Sequence, residues 1–161
     1  MSQRVDQRTP TSPELQTYSL CLELTEFTFS VCKARDKNGD NHKHIPKRFG
    51  SIARQIESLV VQMGALILEA NEVYVRDNLN EEDRLKNYKK RIMLQDRAIS
   101  LSYQLEHYMR VMHRTIEFAD STISHWCETM WTTRRTMVAW KNKDTAMLRD
   151  LINHKGADCL T

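Results

Sequence analysis

Glycine and proline are scarce in this chain, four and three among 161 residues. A β-sandwich or barrel needs turn residues roughly every 8–12 positions, and a doubly wound α/β fold needs glycine at several strand–helix turns; both are excluded. The cysteines are Cys21, Cys32, Cys127 and Cys159, and none forms a C-x-x-C pair. Cys21 and Cys127 fall among apolar helical positions, where cysteine acts as a small hydrophobe. No apolar run approaches the ~18 residues of a membrane span. The opening Met1 to Pro13 is polar and lacks the apolar core of a signal peptide. The expectation is a cytoplasmic protein with reduced thiols and no membrane partner. Phosphate-binding glycine loops, nucleophile elbows and H-E-x-x-H are all missing. No cofactor is implied.

What the chain does contain is helix-forming: Leu, Met, Glu, Lys, Arg and Gln in abundance. Apolar residues make up 40% and charged residues 28%, which is a globular composition. The length corresponds to one domain of about 150 residues with a tail. Lys and Arg number 24 against 21 Asp and Glu, a net charge of +3. That permits binding to polyanions without requiring it.

Residues 1–13 are expected to be a disordered polar arm. Ser12 is placed as a helix N-cap and Pro13 as the first helical residue. A first helix is expected to Arg35, with Leu15, Tyr18, Leu22 and Phe29 on one face and Leu20, Leu24, Phe27 and Val31 beside it. A stripe that wide suits a helix with neighbours on two sides. The cluster Asp36 to Asn41 is a turn. A second helix is expected from Pro46 to Asp77, with Ile52, Ile56, Leu59, Met63, Leu66, Ala70 and Val73 in 4-3 spacing. Asn80 followed by Glu81, Glu82 and Asp83 starts a third helix, because acids in the first turn face the positive end of the dipole. Its seam is Leu94, Ala98, Leu101, Leu105, Tyr108 and Met112, and it reaches Ile116. The fourth begins at Asp120 or Ser121 and ends near Asn142, carrying Ile123, Cys127, Met130 and Met137. Trp126, Trp131 and Trp140 are not all on one face; core or interface packing is the default reading, and an exposed one could serve a subunit interface or a stacking contact. A short amphipathic helix is then expected from an N-cap at Asp144 to His154, stopped by Gly156. The fold class is all-α: an antiparallel up-down-up-down four-helix bundle over residues 14–143, with a short C-terminal helix in 144–161.

Three groupings invite chemistry. Asp36 to Asp40 starts like a calcium loop, but Asn41 replaces its glycine and Lys47 replaces its bidentate glutamate. His42 and His44 have only Asp36 or Asp40 as further metal ligands, so a polar loop is the reading. Arg149 and His154 resemble the R-x4-H motif of the all-α HEPN ribonucleases, where histidine moves a proton and arginine steadies phosphate. Matches of that length arise by chance in a chain this rich in arginine.

The basic residues are grouped. Lys47 and Arg48 open the second helix with Arg54 beyond. Lys86, Lys89, Lys90 and Arg91 open the third. Arg134, Arg135, Lys141 and Lys143 lie late in the fourth. Up-down topology puts the start of the third helix and the end of the fourth together, so Lys86, Lys89, Lys90 and Lys141 are expected to reach phosphates jointly. A solvated face is the plainer alternative: Lys141 and Lys143 offset a helix dipole, and Glu82 and Lys86 have i,i+4 spacing.

The run Ile45-Pro46-Lys47-Arg48-Phe49-Gly50, the seam ending in Leu68-Glu69-Ala70-Asn71, and the late Val138-Ala139-Trp140-Lys141 resemble a known family. It comprises the four-helix accessory proteins of diversity-generating retroelements, the accessory variability determinants, relatives of the four-helix proteins encoded in ribosomal-RNA intervening sequences. The resemblance covers roughly residues 15–142. It implies a bundle without enzymatic activity, a homopentamer with a positive surface, and binding to RNA or DNA and to a partner reverse transcriptase. The complex would support error-prone copying of a template RNA. By motif position only Lys47 and Arg48 carry over. A HEPN-like ribonuclease and a helical adaptor with no nucleic-acid role are the alternatives.

Overall fold

The computed structural model describes residues 13–33, 49–75, 79–116 and 120–158. They form four helices: α1 (Pro13–Lys33), α2 (Gly50–Glu72), α3 (Glu81–Thr115) and α4 (Asp120–Asp158). Each helix packs on two others, α1 on α2 and α4, and α3 on α2 and α4. The contacts run in opposite senses along neighbours. Thr28 meets Trp126, Leu20 meets Thr133 and Glu14 meets Lys143. Glu106 meets Arg134, Asp96 meets Lys141 and Arg91 meets Asp144. α4 therefore runs antiparallel to both α1 and α3.

The helical period holds, but the α2 seam closes on Ile67, while the expected Ile52 and Leu66 are only partly buried against it. Ile56, Leu59, Met63, Ile67 and Ala70 of α2 are buried, with Leu24 and Val31 of α1 against them. Leu15 and Leu22, on the other side of α1, are exposed. By length and composition α2 could cross a membrane; in the bundle its apolar stripe packs on α1 and α3.

The ends of the helices differ from expectation in two places. α2 starts at Gly50 and stops at Glu72, short of Asp77. Val73 turns to extended backbone, φ −69° and ψ 110°. The Asn87 side chain then donates to the Tyr74 carbonyl at 2.7 Å, taking an acceptor that a longer helix would have used. Val73 and Val75 tuck into the core from this linker. The start of α3 is as expected. Asn80 Oδ1 accepts from the Asp83 N–H at 2.8 Å, and Asn80 Nδ2 donates to Asp83 Oδ2 at 2.7 Å, which satisfies an orphan donor of the first turn.

The second difference is larger. There is no break at Asn142 and no separate C-terminal helix: α4 is one helix of 39 residues, about 58 Å long. Asp144 is no N-cap, because its carboxylate is turned into the core and occupied there. Thr145 Oγ1 donates back to the Lys141 carbonyl at 2.8 Å, an i−4 bond of a helix interior. Gly156 lies within α4 and does not end it. Beyond Asp144 the helix runs on along the opening turns of α3, where Leu148 lines one groove with Ile92 and Met93. The arm at 1–12, Ser12, Arg35, the Asp36–Asp40 turn, His42, His44 and Pro46 lie outside the described residues.

Candidate nucleic-acid interface

The opening of α3 and the late part of α4 do share one end of the bundle, as the topology requires. Lys86, Lys89 and Lys90 are exposed there. Lys90 is 3.7 Å from Glu69 of α2. Lys141 is tied to Asp96 at 2.5 Å, and Lys143 is 3.8 Å from Glu14. Among the described residues Lys86 and Lys89 make no ion pair, so their ammonium groups face solvent. Glu69 and Asp96 are each countered by a lysine, and Asp144 by Arg91. The acids Glu81, Glu82 and Asp83 lie one turn earlier on α3 and temper the positive charge.

Two expected phosphate contacts are taken by the fold. Arg91 is 7% exposed. Its Nε donates to Asp144 Oδ2 at 2.7 Å and its Nη2 to Oδ1 at 2.6 Å, a bidentate pair. Gln95 Nε2 donates to the same carboxylate at 2.6 Å, and Glu14 lies 3.5 Å from Arg91 Nη2. The guanidinium is also 5.3 Å from the Trp140 ring centre. A charge so enclosed cannot meet a backbone phosphate without unfolding this end. Arg134 is likewise occupied: Nη1 donates to Glu106 Oε2 at 2.7 Å, Nε to Ser102 Oγ at 2.9 Å and Nη2 to the Ser102 carbonyl at 2.8 Å.

The remaining candidates are dispersed. Arg135 is exposed midway along α4, with Nη2 donating to Thr132 Oγ1 at 3.2 Å. Arg54 is exposed near the start of α2, at the opposite end from Lys86. Lys47 and Arg48 lie outside the described residues. Among the described residues the expected contacts therefore reduce to an exposed lysine cluster at one end, with Arg135 on the flank and Arg54 far away.

The Arg91–Asp144 pair was the feature that motif reading missed. A signal was present. Trp126, Met130, Thr133, Met137, Trp140 and Asp144 continue one 4-3-4-3-4 stripe, and all are buried. A charged residue on such a stripe needs a buried partner.

Burial pushes the Cys21 thiol up to about 12, against a smaller opposing effect of Thr25. Burial, then the Glu106 carboxylate, raises Cys127. The hydrogen bond from Arg110 chiefly, with Arg134 assisting, holds the Glu106 carboxyl below its ordinary range. Arg149 and His154 are both exposed on the last turns of α4. Five residues of helix set them about 140° apart around the axis. Among the described residues no three His, Cys, Asp or Glu side chains are grouped to hold a metal. Compared with known proteins, the chain matches no family model, no curated protein and no solved structure.

Proposed function

We propose that this protein is a non-catalytic, RNA-binding accessory subunit that assembles with itself and with a reverse transcriptase. The observation that carries the nucleic-acid part is the exposed cluster of Lys86, Lys89 and Lys90 where α3 opens beside the end of α4. Glu69, Asp96 and Asp144 are already countered, which leaves the Lys86 and Lys89 ammonium groups for phosphate beside the acids of the first turn of α3. The resemblance to the retroelement accessory proteins supplies the rest of the reading: a template RNA, a partner polymerase and a homopentameric ring. A ring would repeat a weak phosphate contact and raise avidity without any new contact.

The test is a salt titration of RNA binding with the full chain and its Lys86→Glu/Lys89→Glu/Lys90→Glu variant. Each lost phosphate contact lowers the log–log salt slope by about 0.7 on a single strand, so a drop of about 1.4 is expected from the two free ammonium groups. An unchanged slope removes the lysine cluster from the interface. Light scattering at about 150 mM salt supplies the assembly state: a closed ring of five has a mass of about 95 kDa, from subunits of 19.0 kDa. A 19.0 kDa species indifferent to RNA would favour the plain helical adaptor.

A further inference from the structure

We propose that Tyr103 of α3 and Trp131 of α4 form a stacking platform for unpaired nucleobases, which makes the ligand class single-stranded nucleic acid. The proposal rests on the nucleic-acid reading above and names a second, separate contact for it.

Tyr103 is 57% exposed and Trp131 46% exposed, both near the middle of their helices. The tyrosine ring is braced. The Arg134 guanidinium carbon lies 4.0 Å from its centre. That guanidinium cannot swing away, because Ser102 and Glu106 hold it with three hydrogen bonds of 2.7 to 2.9 Å. One side of the ring is thus backed by a fixed cation while the side chain stays largely in solvent. Trp131 sits three residues before Arg134, about 4.5 Å along α4 and about 60° around it, so it flanks the brace on the same side.

Charge favours a polyanion here. Glu106 is shared, with Oε1 taking Arg110 at 2.6 Å and Oε2 taking Arg134 at 2.7 Å. Two cations therefore answer one anion, and beside Trp131 the exposed Arg135 is matched by the exposed Glu128, which leaves an excess of one positive charge. The surroundings of Tyr103 argue against a protein partner. The outer face of α3 on either side of it carries the exposed Ser100, Gln104 and His107. A protein interface needs a contiguous desolvated centre, which these residues do not offer. Base stacking needs only an open ring and nearby cations, and it tolerates any base. A duplex keeps its base faces covered and cannot use the platform.

The experiment measures binding of the full chain to three RNA probes of equal length: a single-stranded oligouridylate, its abasic counterpart and a duplex. The wild type is expected to prefer the first. Tyr103→Ala and Trp131→Ala should each weaken oligouridylate binding roughly tenfold and leave the abasic probe unaffected; Tyr103→Phe should bind as wild type. Oligouridylate should also quench tryptophan emission through Trp131, since Trp126 and Trp140 are buried. The platform is overturned if both alanine variants bind oligouridylate as wild type, if they lose the abasic probe equally, or if their defect is a fall in solution mass. In those cases the lysine cluster still stands if its triple reversal abolishes binding to all three probes. A wild type that binds no probe overturns the nucleic-acid reading itself, and this site with it.

Discussion

Arg91 and Asp144, fifty-three residues apart, close a two-bond ion pair inside the bundle, with both side chains almost wholly buried. The pair ties the opening of α3 to the late part of α4, and Glu14 brings in the start of α1. Asp144→Ala leaves a buried guanidinium without its main partner and should cost about 3–5 kcal/mol in urea unfolding. Arg91→Met/Asp144→Leu, which removes both charges, should recover most of that loss. A single variant as stable as wild type would mean the pair is solvated.

Trp126 Nε1 donates to Thr28 Oγ1 at 2.9 Å, joining α4 to α1 in the core. Thr28→Val keeps the shape and removes the acceptor. Losing this bond should cost about 1–3 kcal/mol by thermal or chemical melting. Thr28→Ser restores the acceptor and should lose less.

Glu106 carries an acid-sensitive part of the stability. Its carboxyl is held below its ordinary range by Arg110 and then Arg134. A depressed carboxyl contributes fully above its unfolded value, about 4.3, and its contribution fades as pH falls through the folded value. Glu106→Gln should therefore be less stable than wild type at neutral pH, and the two should converge in acid. Parallel pH curves would show that the carboxylate is not responsible.

The thiols should separate by burial. Cys21 is buried and its thiol is pushed up to about 12, so it should resist alkylation until the protein unfolds. Cys127 is half-buried and should react slowly at neutral pH, faster as pH rises. Peptide mass spectrometry after timed labelling reads both, and rapid native labelling of Cys21 would contradict the packing of α1 on α2.

Continuity of α4 is testable at an exposed position. Asn142→Pro removes a helix N–H and sets a ring against the preceding turn, so it should destabilise the protein by about 3 kcal/mol. A linker at Asn142 would accept the proline with little change in the melting curve.

The helical class was legible because periodicity is a local property. Ile56, Leu59, Met63 and Ala70 recur at helical spacing, and Asn80 with Asp83 spells a helix start that needs nothing from the rest of the fold. Tertiary partners altered the local readings elsewhere. Asp144 has the chemistry of an N-cap, and a cap is what an isolated segment would make of it. Arg91 across the core takes both its oxygens instead, and α4 passes through uninterrupted. The end of α2 followed the same logic, since Asn87, thirteen residues on, claims the Tyr74 carbonyl.

The site divides along that line. From the sequence alone came the four helices, their order and the grouping of Lys86, Lys89 and Lys90 on one turn of α3, all set by short-range spacing. Which cations remain for a ligand was decided only by the tertiary structure. Arg91 and Arg134 read as members of basic clusters, yet carboxylates on facing helices neutralise them and bury them. Such pairing is made by residues 28 and 53 positions apart, a separation that only the packing of α3 against α4 brings within hydrogen-bond reach.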